Sequence, residues 1–448
     1  MHEPKKTNHL PPVSALIETF GFSPLLASVI LLLTAAICLV AVIWFVRSAP
    51  PRRLTLTSGP PGSSFQQFAD SYQKILAAHG VELRILPSKG SLENFQRLQE
   101  PDSGVDIGFV QGGVTEGEDF DDLVSLGSVA HQPLWVFYRN PTPITRLSEL
   151  SGKRLAVGAP GSGTQALAFT LLQSNGITGQ RTTFLGLDAT EAAAGLLEGT
   201  VDAVFLMGDS APAQTLRTLI RSPNVQLYHF VQADAYVRRM AYLSKLELPE
   251  GSIDFGANLP PRNIALIGPT VELVARAGLN SALSDLLLDA AQEVHGKASL
   301  LQKRGEFPVP VEREIKISED ALRFYKSGKS FLYRTVTPFW LASLLNRILV
   351  AFVPVLLVLI PAIRFLPVAY RLRIQLRLYR CYRPLLVLER DAAGPLTREQ
   401  GLELLRRLDD IEEMVNELKV PASFADQFYG LRGHIGFVRA RLKTATPA

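Results

Sequence analysis

Two short words occur twice in this chain, in the same order. Gly59-Pro60-Pro61-Gly62-Ser63 returns as Gly158-Ala159-Pro160-Gly161-Ser162, and Val105-Asp106-Ile107-Gly108-Phe109-Val110-Gln111-Gly112 returns as Val201-Asp202-Ala203-Val204-Phe205-Leu206-Met207-Gly208; the words lie 46 residues apart in the first copy and 43 in the second. Similar words at a nearly fixed spacing mark one supersecondary unit present twice. Each copy alternates short aliphatic runs with helical stretches: Leu54 to Ser58, Ser64 to His79, Val81 to Leu86, Ser91 to Gln99 and Val105 to Val110 in the first, Arg154 to Val157, Thr164 to Asn175, Thr182 to Leu187, Thr190 to Glu198 and Val201 to Leu206 in the second. That alternation is the pattern of βαβ units on a parallel sheet, so the expected class is α/β with two lobes. Hinges are expected at Arg139 to Ser148, rich in Pro and Thr, and near His229 to Asp234. The first lobe is thus 52–140 and the second 141–232, and 233–335 returns to the first, with helices at Leu279 to Val294 and Glu319 to Tyr325 packed on it.

Two apolar stretches flank the lobes. Leu25 to Val46 is an uncharged run of 22 residues, about 33 Å as a helix, enough to cross a bilayer. It exceeds a signal-peptide core, and no A-x-A cleavage site follows, so 25–46 is read as an uncleaved anchor rather than a cleaved signal. A second stretch at 339–366 is interrupted by Asn346 and Arg347 and contains Pro354 and Pro361; it is expected to span, as a short or kinked helix, against the alternative of a buried soluble helix. Arg364, Arg371, Arg373, Arg377, Arg380 and Arg383 follow with no acid before Glu389. Such a run marks the cytoplasmic side, which places 370–448 inside, the lobes outside, and the amino-terminal segment 1–24 with Lys5 and Lys6 inside.

Charge is informative once divided. The chain carries 46 Lys and Arg against 42 Asp and Glu, and residues 370–448 hold 14 of the former and 10 of the latter, so the whole excess lies in the tail. A neutral body lacks the concentrated basic face that neutralises phosphates, which excludes nucleic acid as a partner. The two cysteines, Cys38 and Cys381, allow no disulfide framework and no cysteine zinc site.

Each lobe opens with a strand, a Gly/Pro/Ser turn and a helix, which aims unpaired N–H groups and the positive end of a helix dipole at one point. One such loop is an ordinary capped turn; two at equivalent positions facing each other form an anion or carboxylate site beyond the carboxyl ends of the strands. The candidate binding residues are Ser63, Ser64 and Phe65 from the first loop, Ser162, Gly163 and Thr164 from the second, with Ser91 and Gln111 from neighbouring strand ends adding hydrogen bonds and Phe65 packing on the apolar part of the ligand. Gly158 to Thr164 misses a phosphate-binding loop, because Thr164 and Gln165 stand where Lys and Ser or Thr belong, and this excludes a nucleotide hydrolase. Ser162 lacks the G-x-S-x-G frame of a hydrolase, and the seven histidines have no metal-ligand spacing. No catalytic set, metal site or cofactor is expected.

The loop PPGSSF, the segment SKGSLENFQRL, DIGFVQ, and GKRLAVGAPGSGT with the later LLEGTVDAVF resemble the TAXI family, the solute-binding subunits of TRAP transporters, over roughly Leu54 to Val311. The resemblance implies a type II periplasmic-binding-protein fold, a Venus flytrap, here set between two transmembrane helices and followed by a cytoplasmic helical hairpin. It also implies a bacterial inner-membrane location with the lobes in the periplasm, a small solute such as an amino acid or organic acid, and delivery to ion-driven TRAP membrane subunits. Gln165 stands where many members carry a basic residue. A membrane-anchored branch has a closing segment similar to Pro338-Phe339-Trp340-Leu341-Ala342.

In the tail, Leu404, Leu408, Ile411, Val415 and Leu418, and then Phe424, Phe428, Leu431, Ile435, Val438 and Leu442, recur at alternating steps of four and three. Each set is a narrow apolar seam, and two seams predict an antiparallel hairpin. A rival reading follows from that hairpin: a membrane receptor or scaffold that senses a solute outside and engages a cytoplasmic partner through its tail.

Overall fold

The computed structural model describes residues 24–47, 49–115, 121–329, 331–335, 339–394, 397–418, 420 and 424–445. The amino-terminal segment that carries Lys5 and Lys6 lies outside them. The chain divides into two compact units, Val46–Arg347 and a second that comprises Met1–Phe45 and Ile348–Ala448.

Helix α1 (Pro24–Arg47) covers the uncharged run. Several of its side chains, Ile30, Thr34 and Cys38 among them, fall outside the described residues. Among the described residues no helix is long and apolar enough to cross a membrane, so the two flanking spans rest on the sequence.

The first lobe sets β1 (Arg53–Thr57), α2 (Ser64–Ala78), β2 (Glu82–Leu86), α3 (Ser91–Gln99) and β3 (Ile107–Gln111) in order, and β1 pairs in parallel with β2 on one side and β3 on the other. Alternate residues Leu54, Leu56 and Leu83 point into a core that α2 closes with Ala69, Tyr72 and Leu76. After β4 (Leu123–His131) the chain enters the second lobe: β5 (Trp135–Tyr138), β6 (Arg154–Ala156), α4 (Gly163–Ser174), β7 (Thr183–Leu185), α5 (Ala189–Glu198), β8 (Ala203–Leu206), α6 (Ala213–Ile220) and β9 (Gln226–Leu227). Its sheet runs β7-β6-β8-β5-β9. Helix α7 (Ala233–Arg239) leads to β10 (Leu243–Leu248) and then to β11 (Ile264–Arg276), which contributes Ile264 and Leu266 to a core of lobe two and Val271, Leu273 and Ala275 to that of lobe one. The first sheet therefore runs β10-β11-β3-β1-β2, with β4 also on β11. Helices α8 (Ser281–His295) and α9 (Glu319–Ser327) cover it through Leu283, Leu287 and Phe324.

The lobes are joined by two crossings. Gln132 N–H donates to Pro269 O at 2.8 Å and Leu134 N–H to Ile267 O at 2.9 Å, and a Cβ on Gly268 would lie 2.1 Å from the Gln132 carbonyl oxygen. Arg139 to Ser148 and His229 to Asp234, where the sequence places the hinges, both lie within lobe two. Proline and threonine mark surface loops, whereas here one crossing is the strand β11 and the other is the short link Gln132 to Leu134, hydrogen-bonded to it between β4 and β5.

Glu272 and His295 are among the ionisable groups buried in lobe one. Burial pushes the Glu272 carboxyl, 4% exposed, up to about 7, against a hydrogen bond with Ser125 and with the charge of Glu314 adding to the rise. Burial pushes the His295 imidazole down to about 3, its ring 4.6 Å from Phe68 and 5.8 Å from Tyr72. The raised carboxyl stabilises the fold fully below its unfolded pKa of 4.5, a contribution lost as pH rises through about 7. The depressed imidazole contributes fully above its unfolded pKa of 6.5, and this is lost as pH falls toward 3. Between pH 4.5 and 6.5 the folded state therefore holds one extra proton on Glu272 and lacks one on His295, and the two slopes cancel. Glu272→Gln should leave a protein that loses about 1.4 kcal/mol per pH unit on acidification through this window, or roughly 2–4 °C in Tm for each kcal/mol. His295→Gln should show the opposite slope. Parallel Tm profiles for the wild type and both variants would contradict the assignment.

Helix α10 (Phe339–Asp391) is one helix of 53 residues, so the stretch expected to end at 366 continues as helix to 391. It is followed by α11 (Arg398–Asn416), capped reciprocally by Thr397 and Gln400, and α12 (Ala425–Ala445). The core combines Leu404, Leu408, Ile411 and Val415 of α11 with Leu431, Ile435, Val438 and Leu442 of α12. A third wall comes from Ile374, Leu378, Cys381, Leu385 and Leu388 of α10. The expected hairpin is thus two parts of a three-helix core.

Candidate functional site

The site lies where the carboxyl ends of β1, β3, β6 and β8 meet between the lobes. After β1, Gly62 takes φ +82°, open to glycine at low cost, and the turn delivers Ser63, whose Oγ accepts from Gln66 N–H at 3.2 Å as the cap of α2. The second lobe repeats this device. Ser162 Oγ accepts from Gln165 N–H at 3.1 Å and donates to Ala159 O at 2.7 Å, which leaves the first amide of α4, Gly163 N–H, pointing into the cleft.

That amide is occupied by a side chain the sequence reading did not select. Asp209, three residues beyond β8, is fully buried. Its Oδ2 accepts from Gly163 N–H at 2.8 Å and from Ser91 N–H of the opposite lobe at 3.4 Å, and its Oδ1 accepts from Thr164 Oγ1 and Ser210 Oγ, each at 2.9 Å. One carboxylate thus joins the amino-terminal ends of α3 and α4. Burial pushes its pKa up, opposed by the hydrogen bonds from Ser210, Thr164, Gly163 and Ser91. Its own backbone is held as well: the Gln132 side-chain oxygen accepts from the N–H groups of Gly208 and Asp209.

Around this carboxylate the lobes touch directly. Ser64 N–H donates to Gly208 O at 2.8 Å, Glu93 N–H to Gly161 O at 3.0 Å, and Gln111 Nε2 to Gly163 O at 3.0 Å. Gly163 has no room for a side chain, since a Cβ there would lie 2.4 Å from Gln111 Cδ. Two buried polar atoms in the same cleft have no partner among the described residues, Gln111 Oε1 and Ser64 Oγ. Beside the closed contact a cavity of about 360 Å³ remains, bounded by Pro60, Pro61 and Lys89 on one lobe and by Gly158 to Pro160, Asp188 and Pro212 on the other.

Of the eight candidate residues, Ser64, Ser91, Gln111, Gly163 and Thr164 converge on this point, in part through backbone atoms. The hydroxyl of Ser91 is turned away and accepts from Gln111 N–H at 3.2 Å. The hydroxyls of Ser63 and Ser162 serve as helix caps. Phe65, expected to pack on the apolar part of the ligand, is fully buried in the core of lobe one with its ring 5.5 Å from Phe109. It lies on the inward face of α2, where an aromatic ring packs on the sheet. Asp209 could have been noticed. The repeated word ends at Gly112 and Gly208, and the next residue is Gly113 in the first copy but an acid in the second.

Residues 64–251 match the model of the NMT1-like family. Among solved structures, the periplasmic aliphatic sulphonate binding protein SsuA from Escherichia coli is 16% identical with a TM-score of 0.33, over 54% of this chain and 72% of that one. An ancestral arginine-binding protein is 17% identical with a TM-score of 0.35, over 56% and 95%. The substrate binding protein of an amino acid ABC transporter is 14% identical with a TM-score of 0.34, over 54% and 92%. The matched residues run from the start of α2 in lobe one past the end of β10, and so take in both Gly/Ser turns' helices and Asp209.

Proposed function

We propose that this chain is a membrane-tethered extracytoplasmic solute-binding protein that captures a small carboxylate-bearing solute, an amino acid or organic acid, for a TRAP-type secondary transporter. The observation that carries the reading is the convergence of amides and hydroxyls from opposite lobes on one carboxylate, because donors arranged to hold the Asp209 side chain are arranged to hold a carboxylate of any origin. A ligand held by loops on both lobes favours the closed form, by as much as its affinity differs between the two forms. The tether rests on the 22-residue uncharged run and on the arginines that follow Ile363.

A thermal-shift screen of the full chain in lipid nanodiscs tests the solute class. An amino acid or organic acid present at about 100 times its Kd should add roughly 2.7 kcal/mol. Shifts by uncharged or cationic solutes alone would overturn the carboxylate reading. Reporter fusions test the topology: a fusion at Ala448 should be active only in the cytoplasm and one near Gly251 only outside it, and the reverse pattern would overturn the tether. The receptor reading draws on the separate core of the three-helix tail. It predicts that substitutions in that core change solute affinity, whereas capture for transport predicts that they do not.

A further inference from the structure

We propose that Asp209 is a resident stand-in for the solute's carboxylate: it holds the lobes shut in the unloaded protein and gives up the cradle only to a solute that brings a carboxylate and a neighbouring hydrogen-bond donor. The inference rests on the reading of the cleft as a carboxylate site and adds what occupies that site when no solute is present.

The loops are shaped around this residue, its side chain at one turn and its backbone carbonyl at the other. A Cβ on Gly90 would lie 2.5 Å from Asp209 Oδ2, and one on Gly59 would lie 2.6 Å from Asp209 O, so glycine is required on two strand-to-helix turns of lobe one where they meet one residue of lobe two. The charge is met only by dipoles. Among the described residues no Lys, Arg or His is among the groups that act on Asp209; the compensation is two helix amides and two hydroxyls, the set that suits a ligand carboxylate. A buried carboxylate with these partners supplies the contact that a ligand would otherwise make between the lobes.

The stand-in is incomplete, which makes it displaceable. With Asp209 in place, Gln111 Oε1 and Ser64 Oγ stay buried without partners among the described residues, an arrangement that native proteins largely avoid. Gln111 Oε1 only accepts. A solute with an ammonium or hydroxyl group next to its carboxylate, an α-amino or α-hydroxy acid, would replace the Asp209 oxygens and satisfy Gln111 as well. A simple monocarboxylate would replace only the oxygens. Because Asp209 must leave first, the apparent affinity of the wild type is reduced by the fraction of molecules whose cradle is vacant.

Hydrogen exchange on the full chain in nanodiscs, with sodium formate as the probe and sodium chloride at equal ionic strength as the control, tests the assignment. In the unloaded wild type, amides of 88–95 and 158–165 should be protected, and formate should change nothing. In Asp209→Ala their exchange should rise at least tenfold while the β2 and β6 strands stay protected, and formate at tens of millimolar should restore protection where chloride does not. Asp209→Asn fills the space without the charge, so it should lose protection several-fold with no restoration by formate, and it decides the question should the alanine variant unfold. Full protection of both loops in the variants, or equal restoration by chloride, would overturn the stand-in. The outcomes separate this inference from the proposed function. Formate rescue without any stabilising amino or organic acid in either protein would leave the stand-in and remove the solute reading. Acids that bind the wild type at least as tightly as Asp209→Ala would do the reverse.

Discussion

Gly163→Val should leave two folded lobes that no longer close. The Cβ alone would sit 2.4 to 2.6 Å from the three terminal atoms of the Gln111 amide, and the valine methyls extend farther into the same space. Gln111 is 1% exposed and its amide is already committed to Gly163 O. It can yield only by breaking that bond and moving into a cleft filled by Asp209. Parting the lobes is the easier response, because lobe one packs around two clusters of its own and lobe two around two others, so opening disrupts neither interior. Exchange at 88–95 and 158–165 should become fast. The Kd of any carboxylate that stabilises the wild type should rise about 100-fold or more, the scale of losing a site built from both lobes. The melting temperature should fall by only a few degrees. Ser162→Ala provides the contrast, since its hydroxyl caps α4 and does not touch Asp209; it should cost about 1 kcal/mol of stability with little change in affinity. A Gly163→Val protein that closes and binds as the wild type does would mean that the interlobe contact is not the binding contact.

The same glycine illustrates what the sequence disclosed and what it did not. The duplicated words locate both strand–turn–helix loops, because a tight turn and a cap require glycine and serine at fixed offsets, and such local requirements are written in adjacent residues. The partner of those loops was not legible. Asp209 acts on Ser91, 118 positions away, and on Gly163, 46 positions away, and a lone acid after a strand carries no local mark of that engagement. Phe65 shows the converse. Its position near a capped loop suggested the site, while its direction is fixed by the face of α2 that meets the sheet, along with Ala69, Tyr72 and Leu76. The proline-rich segments lie within lobe two, and the crossings, β11 and the link Gln132 to Leu134, carry no local mark, because what defines them is their pairing with each other across the chain.

Leu408→Asp should unfold the three-helix core cooperatively and leave the lobes intact. Leu408 is fully buried among α10, α11 and α12. A carboxylate there loses the leucine's packing and has no designed partner, a penalty of more than about 4 kcal/mol, which is comparable to the whole stability of a small helical unit. Leu385→Asp should do the same, and this result separates a three-helix core from a hairpin, because Leu385 lies on α10 outside the two seams first recognised. The steps from Ile374 through Leu378, Cys381, Leu385 and Leu388 to Ala392 are four, three, four, three and four, the same alternation as in the other two helices. Interleaved arginines mark that stretch as the flank of a membrane span and hid its seam. A segment from Gly394 to Ala448 would therefore expose the apolar faces of α11 and α12 that α10 covers, and should be far less helical than one from Tyr370 to Ala448. Circular dichroism on both segments, and on each Asp variant of the longer one, measures this. Equal helicity in the two segments, with Leu385→Asp as stable as the parent, would restore the simple hairpin.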